Sequence, residues 1–435
     1  MKQRIESFFD FKLHNTSFKN EIVGGVTTFF TLAYVIILNP KILSAAGIPF
    51  DAAMAASVYS AVIGTLIMAF YAKKPFAIAP FVGENAFISY TICNTLGYSW
   101  QTALGAIFIS GIILLLLTVT GVREKIAYAI PVPMKISFAA GIGLFLTFVG
   151  LRDIGIIKPD AVSFVSIAAP NDLGIVLGII GIIATTVMLI KRVPGAMLIS
   201  IIGLLLAGLI TGKVQVPETF LSLPPSIAET LFKVDIAGAL SFEFLPIFLT
   251  LFITVFVDTI GTLSALAVKI GMVDSDGNLK DINKPLLADA ITTSLSALMG
   301  SVTNGVYIES ATGYQAGART GFASVITAVL FFLTLFFVPI VQIIPPFAYG
   351  AALVMVGFFM FSAISGLKLE DITESFPVFA VLFTMVFTLN IGMGMAAGFT
   401  VYPLLKTLTG RFTEVKLGMW ILMVLSVVFF IFYPY

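Results

Sequence analysis

Four carboxylates stand deep inside apolar stretches of this 435-residue chain: Glu84, Asp258, Asp289 and Glu309. Ionised groups are expensive in hydrocarbon, so each must face the protein interior or a watery cavity, and a functional role is the default reading. Glu309 opens the most informative stretch, Val306-Tyr-Ile-Glu309-Ser310-Ala-Thr-Gly313-Tyr-Gln-Ala-Gly317-Ala-Arg319-Thr-Gly321. Its leading Val-Tyr-Ile has the β-branched and aromatic character of a short strand. From Glu309 onward, Ser, Ala and Gln suit a helix that glycines interrupt. Extended backbone at membrane depth survives only where it is buried in protein or lines a cavity. A strand meeting a half-helix with a carboxylate in its first turn is therefore a binding-site candidate. The alternative is a kinked helix in which Glu309 pairs with Arg319 for packing alone.

Glu84 stands in a similar setting, Ala79-Pro80-Phe-Val-Gly83-Glu84-Asn85-Ala86-Phe87. Laid over the later stretch, Glu84 meets Glu309 and Asn85 meets Ser310. Asp258 lies in Phe256-Val-Asp258-Thr259-Ile-Gly261-Thr262-Leu, about midway along its apolar run. Asp258 and Thr262 are one helical turn apart on one face, and Gly261 is expected to let a neighbouring helix approach. Asp289 lies nearer a span end, where structural and functional roles both stay open. Phe87 and Tyr307 are the aromatics beside the two broken segments, placed either to stack on a flat ligand or to pack. Any intramembrane proton relay must use these acids, because the single histidine, His14, lies in the polar N-terminal tail.

The elements that position these groups are membrane helices. The chain is 59% hydrophobic and 11% charged, with a mean hydropathy of +1.07, whereas soluble domains carry roughly 25% charged residues. That composition gives an all-α polytopic membrane protein. The net charge of +1 brings no basic patch, so no nucleic-acid partner is expected and lipid is the implied surrounding. One cysteine, Cys93, leaves neither an intrachain disulfide nor a cysteine-built metal site; no metal or cofactor is expected. No catalytic constellation argues for an enzyme, and no ring of like charges argues for a pore.

Apolar runs mark spans near residues 22–38, 52–71, 76–93, 103–120, 136–151, 173–190 and 196–210. A second set follows near 245–268, 285–299, 306–321, 322–341, 351–367, 376–390 and 393–405. The first span is expected to close at Asn39-Pro40. A last run, 417–432, is either an additional span or a helix packed along the bundle. About fourteen transmembrane segments follow. Lys2/Arg4, Lys73/Lys74, Arg123/Lys125, Lys191/Arg192, Lys269/Lys280/Lys284, Arg319, Lys368 and Lys406/Arg411 fall on one side and only Lys158, Lys213 and Lys233 on the other, which makes the N-terminus cytoplasmic. Seven spans per half, entering from opposite sides, form an inverted repeat with the third and tenth spans, broken by short β-strands, as partners.

Gly24-Gly25-Val-Thr-Thr-Phe-Phe-Thr-Leu-Ala-Tyr with Asn39-Pro40, Val257-Asp-Thr-Ile-Gly-Thr-Leu, and Ile308-Glu-Ser-Ala-Thr-Gly with Ala318-Arg-Thr-Gly resemble the AzgA-type guanine/hypoxanthine permeases. These are a branch of the nucleobase:cation symporters related to the xanthine and uracil permeases. The resemblance covers nearly the whole chain. It implies two inverted seven-span repeats, with a cytoplasmic tail (1–21), a core domain (22–130 and 245–343) and a gate domain (131–244 and 344–435). It implies import of hypoxanthine, guanine, adenine or xanthine at the cell membrane, coupled to H⁺ or alternatively Na⁺; whether the chain forms a homodimer stays open. Carried over residue by residue, Asp258 matches the family's eighth-span acid, Glu309 its tenth-span acid and Asn85 the third-span asparagine. Together with the residues read above, the expected substrate site comprises Glu309, Asp258, Asn85, Glu84, Phe87, Tyr307, Thr262 and Ser310, with Asp258 and Glu84 for the proton. Asp289, Arg319, Gly83, Gly261 and Gly313 support it. Arg319, at the cytoplasmic end of its segment, is expected to serve structure or gating without touching the base. One departure stands out: the family usually carries a small or apolar residue before that asparagine, and this chain carries Glu84. Purine bases are planar, neutral and rich in N–H donors, which buried carboxylates can receive. An anion carrier (sulfate- or bicarbonate-like) on the same architecture is the alternative, and it would instead collect arginines.

Overall fold

A computed structural model describes residues 2–121, 123, 130–271, 282–367 and 370–432. Most of it is helical. The first half holds α1 (Lys2–Phe8), α2 (Phe18–Ala45), α3 (Phe50–Ile67), strand β1 (Ile78–Pro80), α4 (Val82–Ala86) and α5 (Trp100–Val119). Then come α6 (Val132–Ile154), a β2–β3 hairpin (Ile157–Asp160 and Phe164–Ile167), α7 (Leu173–Ile190), α8 (Ala196–Ile210) and the single turn α9 (Ile236–Ala239). The second half holds α10 (Leu245–Ile270), α11 (Asn283–Met299), β4 (Asn304–Val306), α12 (Ser310–Gln315), α13 (Gly321–Leu333) and α14 (Val338–Gln342). It closes with α15 (Pro346–Phe361), α16 (Ile372–Thr388), α17 (Ile391–Leu408) and α18 (Leu417–Phe432). Among the described residues, eight helical stretches are long and apolar enough to cross a membrane, and three shorter apolar helices, 196–210, 372–388 and 417–431, accompany them.

Two packing groups form. In one, α2, α3, α5, α11, α12 and α13 pack on one another around the β1–β4 pair. In the other, α6 and α15 make the tightest pair, joined by α7, α8, α16 and α17. Small residues explain the α6–α15 contact. A Cβ added to Gly143 would lie 2.5 Å from the Gly357 carbonyl, and one on Gly150 would lie 2.6 Å from the Gly350 carbonyl. Two glycine pairs seven residues apart thus let the antiparallel backbones touch.

Two expectations are corrected. The first span does not close at Asn39-Pro40: α2 runs through Pro40 to Ala45. Residues 32–40 are all buried, so packing holds the helix across a position where proline withholds its N–H. Arg123 is not a loop cation but a fully buried side chain; Lys125, Lys280 and Lys368 lie outside the described residues. Phe9 and Phe11 are buried, and their rings meet Phe322 edge-on at 5.7 and 5.8 Å.

Candidate functional site

The two broken segments meet at one point. β1 and β4 pair antiparallel, with Ile78 opposite Val306, Ala79 opposite Gly305 and Pro80 opposite Asn304. The ladder continues at both ends, Phe81 N–H donating to the Thr303 carbonyl at 2.9 Å and Tyr307 N–H to the Ala77 carbonyl at 3.2 Å. Each strand is clamped from behind at its first carbonyl. Thr65 Oγ1 on α3 donates to Ile78 O at 2.9 Å, and Thr293 Oγ1 on α11 donates to Asn304 O at 3.1 Å. A two-fold axis between Ala79 and Gly305 relates these contacts and superimposes Phe81 on Tyr307. Those two rings lie 5.6 Å apart, and the Tyr307 hydroxyl donates to the Pro80 carbonyl at 2.5 Å.

This register moves the sequence match by one residue. Gly83, not Glu84, comes to the place of Glu309, and Glu84 comes to that of Ser310. The helices differ too: Glu84 is the third residue of α4, while Glu309 stands just before α12. The cause is the extra turn 308–309 between β4 and its helix. Similar letters occupy different depths.

Glu309 is held from α2. The Tyr34 hydroxyl, itself buried, donates to Glu309 Oε1 at 2.9 Å. Two further contacts seat α12 against α2. Thr31 and Thr312 hydroxyls bond at 3.1 Å, and a Cβ on Gly313 would overlap the Thr28 hydroxyl and lie 2.5 Å from the Gly24 carbonyl. Only glycine fits there.

Asn85 is buried and hydrogen-bonded to α2. Its amide nitrogen donates to the Asn39 carbonyl at 3.0 Å and to the Asn39 side-chain oxygen, while its own oxygen accepts from Ser89. Asn39 in turn donates to Ser57 at 2.7 Å and to Ser301 at 3.4 Å. Ser310 is occupied as well, its hydroxyl accepting from Ala77 N–H at 3.0 Å. The structure thus gives Asn85 and Ser310 positioning contacts that the sequence does not reveal.

Glu84 is fully buried, and neither of its oxygens receives a hydrogen bond from an N–H or O–H donor of any other described residue. The group within hydrogen-bonding reach is another carboxyl, that of Asp258 on α10. Glu84, Asp258 and Glu309 all lie close enough to Tyr307 to act on its hydroxyl. Three acids and two tyrosines, Tyr34 and Tyr307, therefore converge on the strand crossing. Thr262 is half-buried, one turn beyond Asp258. Gly261 does not admit a neighbour as expected: a Cβ there meets nothing within 4 Å. Gly83 does, its Cβ falling 2.7 Å from Ile142 on α6. Phe87 is buried at the start of a π-helical turn.

Two charged residues have other partners. Asp289 pairs with Arg123 at 3.0 Å, both fully buried. Arg319 does not pair with Glu309. Its guanidinium caps the end of α12 through the Tyr314 and Ala318 carbonyls and lies 4.1 Å over the Tyr314 ring. Its backbone N–H, with those of Thr320 and Ala323, donates to Glu21. Sequence reading missed Tyr34, Asn39 and Glu21 as site or support residues. Tyr34 and Asn39 were within the motif that carried the family resemblance, but their partners lie too far along the chain for spacing to expose them.

Residues 19–430 match the family described as the Permease family, Xan_ur_permease. The chain belongs to it. This permease is similar to a Methanocaldococcus jannaschii chain that bears the name permease MJ0326, 44% identical over 98% of this chain and 97% of its relative. The Escherichia coli adenine permease AdeQ is 35% identical over 95% of this chain and 93% of its own. The Bacillus subtilis guanine/hypoxanthine permease PbuG is 35% identical over 98% and 100%. The purine-permease resemblance read from the motifs holds, and a permease is a transporter rather than an enzyme. In fold, the permease is similar to the transmembrane domain of the cyanobacterial bicarbonate transporter BicA, with a TM-score of 0.63 at 16% identity over 87% of this chain and 97% of that one. Murine Solute Carrier 26 family member A9, an anion transporter, gives 0.61 at 12% identity over 90% and 69%.

Proposed function

We propose that this permease imports purine nucleobases across the cell membrane with protons, its N-terminus cytoplasmic. The observation that carries the reading is the Tyr34–Glu309 contact at the strand crossing, in a chain whose relatives are named for guanine, hypoxanthine and adenine. Tyr34 occupies one oxygen of Glu309 and orients the carboxylate. The group then accepts N1–H of a purine and, in guanine, the exocyclic amine as well. Phe81 and Tyr307 offer ring faces, and backbone N–H groups at the starts of α4 and α12 donate to ring carbonyls. Asn85, Ser310 and Phe87 fix the strands and helices that carry these groups, and Thr262 lies on the Asp258 face.

The fold neighbours move anions, yet the electrostatics favour a neutral donor. The ionisable groups acting on Glu84, Asp258, Tyr34 and Tyr307 are carboxyls and each other's phenols. Arg123 and Arg319 are tied elsewhere. An anion would enter a site of acids without a counter-charge, whereas a base brings the N–H donors those acids need.

Asp258 carries the coupling proton, with Glu84 beside it. Each proton moved inward gains about 2.3 kcal/mol per 100 mV, which suffices to concentrate a neutral solute. Fourteen segments in two inverted sevens, with the strand-bearing group as core and the α6–α15 group as gate, give an elevator-like movement of one against the other. The two-fold related strand clamps and the two packing groups support that arrangement. In proteoliposomes with an imposed pH gradient, labelled guanine, hypoxanthine or adenine should accumulate and labelled bicarbonate should not. Asp258→Asn should abolish the accumulation. Bicarbonate uptake without purine uptake would overturn the assignment.

A further inference from the structure

We propose that Glu84 and Asp258 act as one proton-sharing pair, a carboxyl donating to a carboxylate, so that the coupling proton rides between them rather than on Asp258 alone. This deepens the transport reading above and rests on it for its role. Glu84 is fully buried, no other described residue donates an N–H or O–H to either of its oxygens, and the carboxyl of Asp258 on the adjoining helix α10 is within hydrogen-bonding reach. A buried carboxylate without donors is strongly disfavoured, and two side by side repel. One O–H placed between them satisfies an oxygen on each side and removes one of the two charges.

Among the described residues, the surroundings supply no other remedy. Helix α4 packs on α2, α6 and α10. From α2 comes Tyr34, while Lys19, Glu21 and Lys41 stand toward the ends of that helix. From the segment after β4 come Tyr307 and Glu309. Helix α11 brings Asp289, already paired with Arg123, and Lys284 at its start. Helix α6 meets Gly83 through Ile142, and its Lys135, Arg152 and Asp153 lie far along it. Helices α5, α12 and α18 carry no acid or base where they meet α10, and Lys406 of α17 is held by Glu374 and Glu414. Loading adds a proton from water to one of two carboxylates. Unloading breaks that O–H bond, returns the proton to water and leaves two like charges in contact.

The test is a pH titration of the carboxyl C=O infrared absorption, taken on the base-free protein in lipid. Interacting acids lose their protons in two macroscopic steps, separated by about one pH unit or more. Difference spectra of wild type against Glu84→Gln should show an upper step that the variant lacks, and Asp258→Asn should lack it too. Glu84→Asp keeps both acids and should keep the upper step, which covers the case in which the glutamine variant folds poorly. An upper step that survives in Glu84→Gln would overturn the pair and return the proton to Asp258 alone. The measurement uses no base, so its result is separate from whether purines are the cargo.

Discussion

Asp289→Asn leaves the Arg123 guanidinium buried without its counter-charge. The two side chains are 1% and 0% exposed and 3.0 Å apart. Among the described residues, what remains to Arg123 is a carbonyl, Leu286 O at 3.1 Å, and a hydroxyl, Thr118 Oγ1 at 3.4 Å. Losing one hydrogen bond to a charged group costs about 1.5–3 kcal/mol. Stranding one member of a buried ion pair costs about 3–5 kcal/mol, because the uncompensated charge is still desolvated. The second effect is larger and decides the outcome. Each kcal/mol moves the melting temperature of a sizeable domain by about 2–4 °C, so the single variant should melt roughly 10 °C lower. Replacing both partners by apolar groups of similar volume is close to neutral. Thermal unfolding in lipid nanodiscs should therefore place Asp289→Asn and Arg123→Met well below wild type and the double variant Arg123→Met/Asp289→Leu near it. Labelled hypoxanthine uptake should return with the double variant, which assigns Asp289 to structure rather than transport. A double variant as unstable as the singles would refute the reasoning, and one that is stable but inert would give Asp289 a part in transport.

Tyr34→Phe removes one hydroxyl donor from Glu309 and should weaken base binding by about 1.5–3 kcal/mol, roughly ten- to a hundredfold, with little change in melting temperature; equilibrium binding of labelled hypoxanthine reads it. Gly313→Ala places a methyl against Thr28 and the Gly24 carbonyl, so it should cost about 1–3 kcal/mol of stability and displace α12, lowering both melting temperature and affinity. Asp371 caps α16, where the Thr373 hydroxyl and amide, then Arg411, hold its carboxyl down to about 2. Because the folded value is depressed, the contribution is present above the unfolded value near 4 and is lost as pH falls through about 2. Asp371→Asn should flatten that acid limb in a melting-temperature series, and an unchanged limb would contradict it.

The helical membrane character was legible because composition and run length are summed over many residues and tolerate local error. Spans 173–190 and 196–210 fall on α7 and α8 as read. Pro40 misled because a local rule about a missing N–H yields to burial on all sides of α2. The meeting of the two strand-bearing stretches was suggested by their shared pattern, but the register was not. Matching Glu84 to Glu309 compares letters, whereas β1–β4 pairing is set by backbone hydrogen bonds that no letter encodes. Arg123 read as a loop cation, since nothing near it in sequence reveals Asp289. Tyr34 was hidden for the same reason, an aromatic in an apolar run whose partner, Glu309, stands just before α12. The β2–β3 hairpin was missed because its residues, among them Val162 and Phe164, are apolar yet exposed, against the pattern expected of a short connection.

The central claim is that Glu309, oriented by Tyr34, receives the N–H edge of a purine base. Equilibrium binding of tritiated hypoxanthine to purified wild type and Glu309→Gln in lipid, with bicarbonate as competitor, tests it most directly. The amide keeps the shape but turns one acceptor into a donor facing a donor, so affinity should fall by more than the tenfold that one unpaired buried group brings, about 1–3 kcal/mol. Excess bicarbonate should not displace the base. Wild-type affinity in Glu309→Gln, or displacement of hypoxanthine by bicarbonate, would contradict the account.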